Sequence, residues 1–168
     1  MTTDTVLEDP RWQEVDLVAL AEQAEQGVFA RLSLDPDSHE VVVMGCDDSR
    51  IKELNTDFRD KPRATNVLSW PYEDLSAETP GESPLAPEAE ELGDIAIAFE
   101  TCQREAQEQG KPMADHVTHL LVHGVLHLLG YDHIRDEDAT LMEQLEVEIL
   151  GKLGLPDPYR GDTGPAGL

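Results

Sequence analysis

The sequence is poor in basic residues compared with acidic ones. It has 12 lysines and arginines against 36 aspartates and glutamates, which gives a net charge of −24. Such a surface repels polyanions over long range, so a nucleic-acid partner would need a local basic patch. For most of the acidic residues we favour the interpretation of a solvated coat that aids solubility.

Cysteines and long apolar runs are also scarce. Cys46 and Cys102 are the only cysteines and form no CxxC pair. A disulfide stays open from sequence, but two buried free thiols in a reducing compartment are favoured. The first ten residues have neither a basic region nor an apolar run, unlike a secretory signal. Since no stretch reaches the ~20 apolar residues of a membrane span, we expect a soluble, cytoplasmic protein with no membrane partner.

Apolar periodicity and turn residues predict a small α+β domain, in which a mixed β-sheet packs against several helices. The domain is expected to cover residues 1–156, with a mobile acidic loop at 73–92 and a disordered tail at 157–168. The helices are predicted at about 12–31, 50–58, 100–109, 112–129 and 136–153, and the strands at 40–45, 66–70 and 93–99.

Three histidines surround the end of the helix predicted at 112–129. His123 and His127 are four residues apart, which places both side chains on one face of the helix. Gly130 tolerates the left-handed conformation that ends a helix, so His133 can return to the same point. Three imidazoles leave one position of a tetrahedral metal open, which is the catalytic arrangement. The pattern predicts one zinc ion per chain on His123, His127 and His133, although nickel, copper or iron would also fit.

Three other polar residues lie near this motif. His119 is interpreted either as a packing residue or as a hydrogen-bond partner of a ligand histidine, and His116 as exposed. Asp132 either orients a ligand histidine or stabilises the turn through its own backbone.

The spacing matches the H-E-x-x-H-x-x-G-x-x-H motif of metzincin proteases, with one departure. Gly124 stands where a protease has the glutamate that transfers protons, a role that typically contributes ~10²–10⁴ in rate. The motif therefore predicts a zincin-like site whose central helix carries the metal ligands, and it disfavours standard proteolysis.

Four blocks of the sequence make it similar to the YbeY family, the bacterial endoribonucleases of ribosomal RNA maturation. The blocks lie between residues 40 and 155; they are the histidine stretch 123–133, Leu54-Asn55 with Arg59, Thr65-Asn-Val-Leu-Ser-Trp-Pro71 and Gly93-Asp-Ile95. The resemblance implies zinc on the three histidines named above and an arginine at Arg59 that RNA cleavage requires. It also implies single-strand-specific cleavage in 16S rRNA 3′-end maturation and ribosome quality control. The implied partners are the small ribosomal subunit and its proteins.

The basic residues cluster around Arg59. Five of them lie between residues 50 and 63 together with three acidic residues, so this segment is +2 while the whole chain is −24. A guanidinium can hold a phosphate through two hydrogen bonds and offset charge on its oxygens, which favours a catalytic role for Arg59. Lys61 and Arg63 are expected to bind the substrate. Asn66 and Ser69 either line the same cleft or pack within an edge strand.

Two other functions stay open from sequence alone. One is a metal-dependent hydrolase of another class, such as a peptidase with an unidentified base. The other is a non-catalytic ribosome-assembly factor whose zinc only stabilises the fold. Whether water or the 2′-hydroxyl of RNA attacks the phosphate is also left open.

Overall fold

The computed structural model describes residues 3–35, 37–59, 65–75, 77, 79–82, 84, 87, 90–132 and 135–158, with Thr3, Phe58 and Arg59 described by their backbone alone. The predicted α+β class is confirmed: within these residues a mixed four-stranded sheet packs against five α-helices. The strands are β1 (Thr3–Leu7), β2 (Glu40–Cys46), β3 (Val67–Pro71) and β4 (Glu91–Ala98), and the helices are α1 (Leu17–Leu32), α2 (Asp48–Arg59), α3 (Phe99–Gln109), α4 (Met113–Leu128) and α5 (Asp136–Lys152). None of the described helices is both long and apolar enough to cross a membrane.

The sheet has the order β1-β2-β4-β3. β1 and β4 each pair with β2 in parallel, and β3 pairs with β4 antiparallel. The predicted strands and helices are confirmed to within a few residues, except that α1 begins at Leu17 because a short 3-10 helix, Pro10–Gln13, precedes it. The sequence did not predict strand β1, because its residues, TDTVL, are mostly polar. The strand lies at the edge of the sheet.

Each face of the sheet is covered by helices. Side chains alternate between the two faces of a strand, so Ile95 and Ile97 of β4 join the large cluster beneath α1 and α4. Ala96 and Ala98 point the other way and pack with Ile51 of α2. Both cysteines are free and buried, as predicted, and burial raises the pKa of the Cys46 thiol to about 12.

Helix α4 lies close to the sheet at Gly124. A Cβ built on Gly124 would come within 3.0 Å of Ile95 Cδ1 and 3.3 Å of Ser69 Oγ. Gly124 therefore faces β3 and β4, and its missing side chain lets the histidine-bearing helix seat against the sheet. Any side chain at this position would have to displace Ile95 or Ser69.

Replacing Gly124 with alanine tests this close approach. Alanine gains up to about 1 kcal/mol of helix propensity, but its methyl group must displace buried Ile95, which costs roughly 1–3 kcal/mol. We expect Gly124→Ala to lower the free energy of unfolding measured by urea denaturation.

Gly151 of α5 provides the matched control, because a Cβ there meets no atom of the described residues within 4 Å. Gly151→Ala is expected to raise the free energy of unfolding by up to about 1 kcal/mol. Equal changes in the two variants would contradict the tight contact at Gly124.

Candidate metal centre

Helix α4 ends as the sequence predicts. Gly130 has a φ of 99°, in the left-handed region. Its N–H donates to the carbonyl of His127 at 3.0 Å, and the N–H of Tyr131 donates to Leu126 at 3.0 Å. These two bonds form a Schellman motif, which satisfies carbonyls that the helix end would otherwise leave without a donor. A Cβ on Gly130 would lie 2.7 Å from the backbone carbonyl of Leu75, so the turn also fits tightly against the segment that follows β3.

The structure brings His123 and His127 together at this end of α4. Their Nε2 atoms are 3.0 Å apart, and their rings meet edge to face with centroids 4.5 Å apart. The third predicted ligand, His133, lies outside the described residues. Among the described residues there is no group of three or more histidine, cysteine, aspartate or glutamate side chains arranged to hold a metal.

Glu146 of α5 contacts the same histidines from the neighbouring helix. Its carboxylate is fully buried, and Oε2 lies 2.8 Å from Nδ1 of His123. The other oxygen, Oε1, lies 2.8 Å from Nε2 of His119. His119 thus contacts the carboxylate that holds a predicted ligand.

The donor set fits a metal ion. An ionised carboxylate has no proton to donate, so the Nδ1 of His123 that faces Glu146 is the N–H donor. In a neutral imidazole the lone pair is then on Nε2, the atom that points at Nε2 of His127. Two ring nitrogens that converge in this way suit a shared cation, and imidazole nitrogen is a common zinc ligand.

Glu146 is the site residue that the sequence reasoning missed. Its immediate neighbours, EQLEVEIL, contain several glutamates with nothing to distinguish them. One signal was present: Glu146 follows Met142 by four residues and precedes Ile149 by three, so it falls on the apolar stripe of α5. A charged residue on a buried stripe requires a partner.

The prediction that His116 is exposed is wrong. It is only 4% exposed, and its Nε2 lies 2.9 Å from Oε1 of Glu105 in α3. Burial lowers the pKa of His116, and the hydrogen bond to Glu105 opposes that change. Helix α3 packs on α4 at this point and removes His116 from solvent.

The predicted substrate-binding residues fall in different surroundings. Asn66 donates from Nδ2 to Oε1 of Glu105 at 3.0 Å, so its amide connects the start of β3 to α3. Ser69 faces α4 at Gly124. Arg59 is the last residue of α2, while Lys61 and Arg63 lie outside the described residues. The roles proposed for these residues stay predictions.

A cavity of about 300 Å³ opens beside His127. Gly130 and Asp132 line it. Tyr72, Glu73 and Asp74, which follow β3, also line it, and Tyr72 is 64% exposed. Three of the lining residues are acidic, so the cavity wall repels a phosphate unless cations compensate.

The acidic segment at 73–92 contacts the helices where the structure describes it. Leu75 is buried against Gly130. The N–H of Gly81 donates to Oδ1 of Asp138 at 2.9 Å, and Arg135 donates to the carbonyl of Ala77 at 2.7 Å. These contacts tie the segment to the start of α5, next to the candidate metal centre.

Comparison with known proteins supports an assignment to one family. The family model described as Endoribonuclease YbeY matches residues 6–154. Three curated relatives carry the name Endoribonuclease YbeY. The relative from Ruegeria pomeroyi is 65% identical over 95% of this chain and 98% of its own. The relatives from Paracoccus denitrificans and Cereibacter sphaeroides are 62% and 59% identical, over 93% of this chain and 88% and 97% of their own.

A solved structure shares the fold. The solution structure of a protein from Thermotoga maritima matches with a TM-score of 0.56 at 22% identity, and the match covers 95% of this chain and 99% of that one. At this level of identity the likeness concerns the architecture.

Gly130→Ala tests the turn that leads toward His133. Alanine must adopt a positive φ, which costs of order 1–3 kcal/mol, and its Cβ would also press against the Leu75 backbone. We expect a clear loss in the free energy of unfolding, measured by thermal and urea denaturation.

Gly154, which ends α5 with a φ of 84°, is the matched control. It makes the same pair of Schellman hydrogen bonds, to Gly151 and from Leu155 to Leu150. A Cβ on Gly154 meets no described atom within 4 Å, so Gly154→Ala isolates the conformational cost. If the two variants lose the same stability, the contact with Leu75 contributes nothing.

Proposed function

This chain belongs to the YbeY family, and we propose on that basis that it is a zinc-dependent endoribonuclease specific for single-stranded RNA. We further propose that it acts in the maturation of the 16S rRNA 3′ end and in ribosome quality control, with the small ribosomal subunit and its proteins as partners. The family match over residues 6–154 supports the activity.

One geometric observation supports the proposed metal site. The Nε2 atoms of His123 and His127 converge to 3.0 Å beside an open cavity, and a buried carboxylate holds the first ring from behind. Histidines that only filled a core would not need ring nitrogens directed at each other next to a cavity. We propose that His123, His127 and His133 hold the zinc.

When bound, the ion supplies Lewis acidity toward a phosphoryl oxygen and lowers the pKa of a coordinated water toward ~7. The protein's own residues provide the rest. Arg59 is proposed to stabilise the charge that develops on the phosphate, since a guanidinium presents two parallel donors to phosphate oxygens. Lys61 and Arg63 are proposed to bind the RNA backbone next to Arg59.

The packing of α4 argues against the peptidase alternative. A metzincin-type protease needs a glutamate next to its first ligand, where this chain has Gly124. Because Gly124 lies against Ile95 and Ser69, the Cβ of a glutamate at this position would press against the sheet. Asn66 and Ser69 remain candidates for contact with the substrate.

The acidic cavity also bears on how RNA is recognised. Glu73, Asp74 and Asp132 line it and disfavour long-range attraction of a polyanion. We infer that naked RNA binds weakly and with strong salt dependence, and that the ribosome or a protein partner supplies much of the recognition.

The zinc ligands can be tested without an activity assay. We expect His127→Ala to lose most of the zinc that co-purifies with the wild type, as measured by elemental analysis, because it removes one of three proposed ligands. His39→Ala is the control, since His39 lies before β2 and packs near Phe29 instead. Full zinc content in His127→Ala would refute the site.

The role of Arg59 is tested on single-stranded RNA. We expect Arg59→Ala to slow cleavage by about 10²–10³, the usual effect of removing one donor to a developing oxyanion, while zinc content stays unchanged. Arg50→Ala is the matched control, because Arg50 lies on the same helix and its Nε is 3.4 Å from Oε2 of Glu8.

The same assay separates the alternatives. An Arg59→Ala variant with full RNA cleavage would remove this arginine from the mechanism. A zinc-loaded wild type that cleaves casein but not RNA would contradict the nuclease assignment. If neither substrate is cleaved, an assembly factor with structural zinc becomes the better description.

A further inference from the structure

We propose that Glu146 is the residue that positions His123 for metal binding, and that His119 holds the Glu146 carboxylate in place. The inference rests on the proposed function only in taking His123 as a metal ligand. Neither Glu146 nor His119 is thereby assigned contact with the substrate; both act through the ligand.

The carboxylate of Glu146 needs hydrogen-bond partners because it is buried. Glu146 is fully buried, whereas the side chain of His123 is 21% exposed. A buried carboxylate is costly unless it accepts hydrogen bonds. Glu146 receives one on each oxygen, from His119 at 2.8 Å and from His123 at 2.8 Å.

The position of Glu146 also determines the tautomer of His123. A carboxylate has only acceptor atoms, so the ring nitrogen that faces it must carry the proton. Glu146 therefore selects the form of neutral His123 with Nδ1 protonated and the lone pair on Nε2. That nitrogen is the one directed at His127, 3.0 Å away. Such a partner behind a ligand histidine fixes the orientation of the ring and raises its basicity.

The Glu146 carboxylate is itself held in place from two sides, by α5 and by His119. Glu146 lies between Leu145 and Ile149, which are both buried in the main core, so the backbone of α5 is fixed where the side chain begins. His119 lies one turn before His123 on α4 and occupies the second oxygen. If His119 were apolar, that oxygen would lose a partner in a buried site, and the carboxylate would be freer to turn away from His123.

A purely structural role makes a different prediction. The same hydrogen bonds connect α4 to α5, so Glu146 could serve only to dock the two helices. In that case its removal would lower the stability of the fold while leaving the tautomer of His123 and the affinity for zinc unchanged.

Glu146→Gln separates the two roles, because glutamine has the same shape but only one acceptor oxygen. Its NH₂ group cannot accept from the second imidazole. We expect the affinity of the metal-stripped full-length protein for zinc to fall by about 10–100-fold, measured by competition with a chromophoric chelator. Glu148→Gln is the matched control on the same helix, since Glu148 is about half exposed and pairs with Arg31, and it should bind zinc like the wild type.

The tautomer is read separately in the metal-free protein by ¹⁵N-edited NMR of the imidazole nitrogens. We expect the proton of neutral His123 on Nδ1 in the wild type and a redistribution between Nδ1 and Nε2 in Glu146→Gln. Unchanged zinc affinity together with an unchanged tautomer would overturn the proposal, whatever happens to stability.

His119 provides a second pair of variants in case Glu146→Gln does not fold. His119→Gln keeps an N–H donor near the position of Nε2, whereas His119→Leu removes it. We expect zinc to bind His119→Leu more weakly than His119→Gln; equal affinities would contradict the role given to His119. These readouts need no RNA, so a wild type that binds zinc but cleaves no RNA would defeat the proposed function and leave the positioning role intact.

Discussion

The carboxylate of Glu146, shared by two imidazoles, is the interaction on which the candidate metal centre depends. It is fully buried and joins α5 to α4 through His119 and His123. A buried charge of this kind is tolerated only with its partners in place, so the arrangement of the two helices and the direction of the His123 ring are set together. The Nε2 atom of His123 then points at His127 as a consequence of core packing.

A second constraint is the close approach of the backbone to neighbouring residues at two glycines, one in α4 and one in the turn that follows it. Gly124 lets α4 seat on Ile95 of β4, and Gly130 lets the chain turn beneath Leu75. The first contact also has a functional consequence, because it removes the position that a metzincin-type protease uses for its base. The same glycine therefore explains why the helix fits the sheet and why the metal-binding pattern points away from peptide hydrolysis.

The net charge of the protein has the same sign as that of the proposed RNA substrate, so the two repel each other. The chain carries −24, and the cavity beside His127 is itself lined by three acidic residues. Under the proposed function, cations near the site have to offset this repulsion, and Arg59, Lys61 and Arg63 are the residues proposed to provide them. The same proposal favours RNA presented by a large assembly over free RNA.

The sequence alone determined the features that depend on local chemistry. The helix at 112–129, its end at a left-handed Gly130 and the shared face of His123 and His127 follow from periodicity and from glycine's freedom at positive φ, and the motif blocks identified the family. Contacts between elements distant in the chain were decided by tertiary structure. The partner of His123 comes from 23 residues away in α5, and α3 buries His116. Strand β1 exists because β2 offers it an edge, and the acidic wall of the cavity forms because the segment after β3 folds against Gly130. Local periodicity shows which face of a helix is buried, but only packing shows what lies against it.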